Sequence, residues 1–142
     1  PYKHLLIQTL NERLAEAAAN KLHEMIRKEV WGYAKDEHLT RQQLLNEEYQ
    51  GIRPAVGYPS LPDLSVIFLL DELIDIKSIG IRLTENGMMQ PHASVCGLMF
   101  SHPQARYFAV GKIDEHQLAD YAARRGKEVS YIQNYLTMNL QY

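Results

Sequence analysis

The sequence predicts an α+β fold, an antiparallel β-meander with flanking helices, and three observations carry that prediction. Leu10, Leu14, Ala18, Leu22, Met25 and Ile26 recur at three- and four-residue steps, the mark of an amphipathic helix over about Gln8 to Val30. From residue 79 the period changes to two: in IGIRLTE (79–85), Ile79, Ile81 and Leu83 alternate with Gly80, Arg82 and Thr84, as in a half-buried strand. Helix signals return at Asp114, with Gln117 three residues on and Gly126 as a stop.

The remaining elements follow in order. Thr40 with Gln43 forms a capping box that opens a second helix through about Glu48. Asp63 or Ser65 caps a short apolar helix, VIFLLDELI, although VIFLL alone also fits a buried strand. HASVCGLMF (92–100) and RYFAVGKI (106–113) read as the second and third strands, with turns at Asn86-Gly87 and His102-Pro103. Connections this short favour antiparallel neighbours, because a parallel crossover takes a dozen or more residues. Tyr131, Ile132, Tyr135 and Leu136 belong to a last helical piece. Helices, then strands, then helices is an α+β order.

A chain of 142 residues suffices for one domain, 1–142, with its own core. Its 46% hydrophobic and 23% charged content is ordinary for a globular protein. A net charge of -2 gives no electrostatic case for nucleic acid or an acidic membrane surface, and runs such as VIFLL are far too short to span a bilayer. The single cysteine, Cys96, excludes an internal disulfide and fits a reducing, cytoplasmic compartment.

Residues 49–59, YQGIRPAVGYP, are the most unusual stretch. Pro54 and Pro59 fix φ, and each pushes its predecessor, Arg53 or Tyr58, towards extended backbone. Arg53 offers a planar fork for a carboxylate or phosphate, and Tyr58 a ring face and a hydroxyl. Local chemistry alone favours a connecting loop whose arginine caps a helix or pairs with a surface acid, since most loops are connectors. Glu47 and Glu48 stand just before the loop. Glu12, Glu16, Asn20, His23 and Arg27 form a second stripe on the first helix, turned away from the leucines, as a solvated face would be. Tyr107 and Phe108 point to opposite sides of their strand, one towards the core and one towards a cleft.

Other signals fail. HEMIR (23–27) begins like a zinc-protease helix, but Arg27 stands where the second histidine belongs. The six histidines are scattered and no metal-ligand spacing is present. No P-loop lysine and no basic–aromatic ladder for bases is found.

GIRPAVGYP closely resembles the G-I-R-P-A-P-G-Y-P signature in the activation domain of cobalamin-dependent methionine synthase. RLAEAAANKLHEMIRKEVWGYA (13–34), IGIRLTE, ASVCGLMFSHPQARYFAVGKI (93–113) and QLADYAARRG (117–126) resemble the family's blocks in the family's order. The chain is expected to correspond to roughly the C-terminal half of that domain, a fragment of a larger one.

The resemblance implies a domain of a methyltransferase, 5-methyltetrahydrofolate–homocysteine methyltransferase, that is not catalytic on its own. Such a domain binds S-adenosylmethionine and presents its methyl group to cob(I)alamin for reductive reactivation, with a flavodoxin-type electron donor and a cobalamin-binding module as partners. It implies that Arg53 holds the ligand, the backbone of Pro54 and Ala55 forms the pocket wall, and Tyr58 lies on the ligand and cobalamin side. Tyr107 and Phe108 contact S-adenosylmethionine, and Glu16 and Glu47 lie near its sulfonium. Two departures are visible: Val56 replaces the second proline of the loop, and Leu64 stands where a histidine commonly follows the Pro-Asp pair. The alternative is a docking module for a cobalamin-binding partner that does not bind S-adenosylmethionine productively. A free-standing enzyme using His23 or His102 is a third reading.

Overall fold

The structure, a computed structural model, describes residues 1–141. The chain divides into two compact units, Pro1–Arg53 with His92–Tyr107, and Pro54–Pro91 with Phe108–Tyr142. Each is described by itself.

The first unit is built on α1 (Tyr2–Met25), which runs on through a π-helical turn, Ile26–Val30, closed where the Trp31 amide reaches back to the Ile26 carbonyl at 3.0 Å. The wider turn lets Arg27 point inward. Its side chain makes two hydrogen bonds to Glu37, 2.8 and 2.7 Å long, and its carbonyl accepts from the Ala34 amide. The pair is buried, with the side chains of Arg27 and Glu37 2% and 9% exposed. α2 (Arg41–Leu45) opens on the expected Thr40/Gln43 capping box, with both reciprocal bonds present. It stops at Leu45, short of the predicted Glu48.

The helix face predicted to be core is reversed. Leu10, Leu14 and Leu22 are 54%, 67% and 51% exposed, whereas His23 and Arg27, from the stripe read as solvated, are each 1% exposed. The reason is pairing: Arg27 has an acid to receive it, and a paired charge can be buried where a leucine without a facing apolar surface cannot.

In the second unit, α3 (Val66–Ile74) settles the ambiguity of VIFLL in favour of helix. Both candidate capping residues take part, though Ser65 occupies the cap position without a capping side-chain bond and Asp63 accepts from the Ser65 amide at 2.9 Å. The two-stranded antiparallel sheet pairs β1 (Arg82–Leu83) with β2 (Met89–Gln90), Arg82 opposite Gln90 and Leu83 opposite Met89. α4 (Glu115–Arg125) has the predicted Asp114/Gln117 capping box and ends at Gly126, whose φ of 61° glycine adopts without strain. It packs on α5 (Val129–Tyr135) through Leu118, Ala122, Ile132, Leu136 and Leu140.

The α+β class therefore stands, with antiparallel pairing, but the three-strand meander does not form as a ladder. Only the first predicted strand, 79–85, enters a sheet. Phe100 pairs with Ile52 in a single bridge, and Ile113 with Leu140 in another, so 92–100 and 106–113 form no strand of a sheet and bond to loops instead. Ile113 exchanges bonds with Asn139 and Gln141, and the Lys112 ammonium donates to the Met138 and Leu140 carbonyls, both at 3.1 Å. These acceptors lie far along the chain, where no short-range pattern reveals them.

Asp63 is the polar centre of the second unit. Its carboxylate accepts from the Ser65 hydroxyl at 2.6 Å, the Tyr121 hydroxyl at 2.7 Å and the Arg125 guanidinium. Asp63→Ala is expected to destabilise the protein by about 3–5 kcal/mol in chemical denaturation, because it strands a mostly buried arginine.

His23 supplies a second test. Burial, then the positive Arg27 and Arg53, pull its pKa down to about 4, with Glu37 opposing. The unfolded imidazole takes up a proton near 6.5, so stability from this residue is complete above that pH and declines as pH falls towards 4. Within that window the unfolding free energy of the parent should fall more steeply than that of His23→Phe, by up to about 1.4 kcal/mol per pH unit.

Candidate functional site

The loop that carries Arg53 is fixed by its backbone before any side chain acts. Ile52 and Phe100 exchange two hydrogen bonds of 3.0 Å, and the Gln50 side chain donates to the Ser101 carbonyl at 2.8 Å. Gly51, at φ 86°, lies so close to Phe100 that an added Cβ would meet its carbonyl oxygen at 2.1 Å. No other residue fits there.

Arg53 emerges from this anchored bridge. Its amide donates to the Tyr107 hydroxyl at 2.8 Å, and Nη2 donates to Asn20 Oδ1 at 2.8 Å. Nη1 is buried and has no hydrogen-bond partner among the described residues. The guanidinium is thus held by one arm and offers the other. Neither structural reading of this arginine is met: it caps no helix and pairs with no acid among the described residues.

The two acids reach the same unit from different elements. Glu16 is exposed on α1, one turn before Asn20 and on the same helical face. Glu47 follows α2 at a position with φ 56°. The Glu47 amide bonds to the Leu44 carbonyl and the Glu48 amide to the Gln43 carbonyl, the paired 5→2 and 6→1 bonds of a Schellman helix end. Glycine ordinarily fills the left-handed position of that motif; here a glutamate does. Neither carboxylate has an ion-pair partner among the described residues.

Tyr49 stands at the centre of these groups. The Arg27 guanidinium lies 4.3 Å from its ring centroid, and His23 meets it edge-on at 5.0 Å. Its phenol is pushed up to about 12, first by burial and then by Tyr107 and Glu47, while Arg53 pulls the other way; a hydrogen bond to Tyr107 adds to the rise. Asn20 is exposed, as read from the sequence, yet it holds Arg53, and Tyr49 was not singled out. Their signal was available in part, since Asn20 lies three residues before a buried histidine on one helix and Tyr49 opens the loop.

The other predicted residues belong to the second unit. Pro54 is buried and Ala55 half-buried, while Tyr58 and Phe108 are 63% and 64% exposed. Tyr107, at 40% exposure, is not core either, so the expectation of one core ring and one cleft ring in this pair is not met. Tyr58 closes a tight turn in which Gly57 bonds to Leu61 and Leu61 to Tyr58, each at 2.8 Å. It also lines a cleft of about 380 Å³ with Pro59, Pro62, Ala109, Lys112 and Met138. The departures have structural roles: Val56 is buried, and Leu64 packs where an added Cβ on Gly57 would approach it to 3.2 Å. Burial raises the Cys96 thiol, so it is no ready nucleophile. Among the described residues no group of three or more His, Cys, Asp or Glu side chains suits a metal, and no helix is long and apolar enough to cross a membrane.

Comparison with known proteins identifies the family. Residues 1–126 match the family model of the vitamin B12 dependent methionine synthase activation domain. The crystal structure of the MetH reactivation domain bound to AdoHcy superposes with a TM-score of 0.94 at 45% sequence identity, and the match covers 99% of this chain and 44% of that one. The chain therefore spans less than half the length of that relative. It belongs to the family of vitamin B12 dependent methionine synthase activation domains.

Proposed function

We propose that the chain is the part of a methionine synthase activation domain that grips S-adenosylmethionine by its carboxylate. The observation that carries this reading is Arg53, whose Nη2 is tied to Asn20 while Nη1 is buried and unpartnered. Burying a charged donor without an acceptor is costly, and a ligand carboxylate supplies the missing acceptor in charge-assisted form. Glu16 and Glu47, free of ion pairs, provide negative charge for the sulfonium, and the Tyr107 ring favours the same cation. The backbone of Pro54 and Ala55 and the exposed rings of Tyr58 and Phe108 are assigned to ligand contact on the family resemblance.

When bound, the ligand supplies a methyl group for cobalamin carried by a partner module of the synthase. The residues here need no general base, because their task is to hold and orient. A cobalamin-binding module, a flavodoxin-type electron donor and a cytoplasmic setting complete the reading. Domain and synthase act together as a methyltransferase, and the 142 residues form one portion of the activation domain.

Calorimetric titration with S-adenosylmethionine tests this. The parent chain should saturate. Arg53→Ala should weaken binding by roughly ten- to a hundredfold, the value of hydrogen bonds to a charged partner, and Arg53→Lys should recover part of it. Equal binding by all three would remove the carboxylate clamp, and no binding by the parent would favour the docking module that takes no ligand.

Glu47 makes a second prediction of opposite sign in two measurements. Glu47→Gly relieves a left-handed glutamate and should raise stability by about 1 kcal/mol in urea denaturation, while weakening affinity for the sulfonium ligand.

A further inference from the structure

Three arginines of this chain, Arg27, Arg53 and Arg125, are buried or half-buried, and acids close two of them. Arg27 places Nε and Nη2 on the two Glu37 oxygens, at 2.8 and 2.7 Å, and Arg125 pairs with Asp63. Arg53 differs. Its Nη2 donates at 2.8 Å to Asn20 Oδ1, and Nη1 is buried without a partner among the described residues. A guanidinium carries donors only, so the Asn20 atom that faces it is the oxygen. An amide has one such oxygen and no charge, whereas a carboxylate has two and can take both arms of the fork. The anchor is stiff as well. Asn20 lies within α1, three and seven residues before His23 and Arg27, and those two are each 1% exposed on that side of the helix.

We propose that Asn20 is a positioning residue for Arg53 and sets the charge that Arg53 offers. Its one neutral oxygen holds Nη2 in place and leaves Nη1, with the full positive charge of the guanidinium, for the ligand carboxylate. Asn20 touches no ligand on this account. The inference rests on the reading given above for Arg53 and adds a claim about specificity: an acid at position 20 would occupy the fork itself and compete with the ligand.

The test uses the whole 142-residue chain with Asn20→Ala, Asn20→Asp, Arg53→Ala and the double variant Asn20→Ala with Arg53→Ala. Asn20 is exposed on its helix, so either substitution there leaves the fold intact. In ¹H–¹⁵N spectra of the ligand-free protein, the Arg53 Nε–H resonance should move in Asn20→Ala, where the side chain loses its anchor. The dissociation constant for S-adenosylmethionine should rise roughly three- to tenfold in that variant, the value of one hydrogen bond. Asn20→Asp keeps an oxygen on Nη2 but cancels the charge, and should weaken binding further, by roughly ten- to a hundredfold. Adding Asn20→Ala to Arg53→Ala should change affinity no more, because its effect passes through the arginine.

A purely structural role would lower the melting temperature of Asn20→Ala and leave the Arg53 Nε–H resonance unmoved. In that case Asn20→Asp, which preserves the hydrogen bond, would bind as the parent does. Either result would overturn the proposal, as would losses that simply add in the double variant. Should the parent take up no S-adenosylmethionine, the reading of Arg53 fails by itself, while the ligand-free spectra still decide whether Asn20 positions it.

Discussion

The buried ion pair between Arg27 and Glu37 is the constraint on which the first unit depends. Arg27 is among the largest fully buried side chains of the protein, and it sits on a helix whose conspicuous leucines are exposed. Two charges taken out of water cost several kcal/mol each, and only good geometry offsets that. The geometry here is a double hydrogen bond, completed by a π-helical turn that swings Arg27 inward and by the Tyr49 ring beneath the guanidinium. Such a pair adds little net stability over an apolar core of equal volume. What it does add is direction, because an arginine fork accepts a partner in few orientations. Tyr49, His23 and the start of the loop inherit that direction.

The second unit uses a similar device at a different place. Asp63 gathers Ser65, Tyr121 and Arg125 at the foot of α3, so an α3 cap and two α4 side chains share one loop acceptor. Apolar packing then fixes what the carboxylate orients. Leu64 fills the space beside Gly57 and Gly87, and the apolar faces of α4 and α5 close the core. In both units the polar centre is a single acid–arginine pair with an aromatic neighbour, and the glycine-rich segments are anchored next to it.

How much of this was legible in the sequence depended on the range of the interaction. Capping boxes at Thr40 and Asp114 are read within four residues, and both were found where the spacing placed them. The meander failed because alternation reports a half-buried extended segment without naming its partner. Phe100 and Ile113 are extended, yet they pair with Ile52 and Leu140, each more than 25 residues away. Helix periodicity misled for a related reason. It gives the angle between stripes, while the choice of the inward stripe belongs to whatever faces it, and Glu37 lies ten residues from Arg27 across an irregular turn. Arg53 was singled out from local chemistry, but its grip on Asn20 spans 33 residues and its amide bond to Tyr107 spans 54. The family motif supplied Tyr107 where spacing alone did not. Tyr49 had only its place at the start of the loop to mark it.

Residues 47 to 53 combine features that stability alone does not explain. A glutamate occupies the left-handed position at the end of α2, at a cost of roughly 1–2 kcal/mol relative to an unstrained residue. Gly51 is pressed against a carbonyl, which surrenders backbone entropy for proximity. Arg53 then buries a charged donor that nothing among the described residues receives. Asp75 is equally left-handed, but there the strain has a local use, because its amide closes α3 on the Asp71 carbonyl and its own carbonyl receives the Ser78 hydroxyl. Glu47 closes its helix in the same way, yet glycine would do so without strain, and the glutamate side chain gains no ion-pair partner among the described residues in return. Three unfavourable choices within seven residues of one unit are consistent with the binding role proposed for this segment. The strain and the orphaned donor become reasonable together once an anion meets Arg53 and a cation lies near Glu47, which is the charge pattern of a sulfonium amino acid.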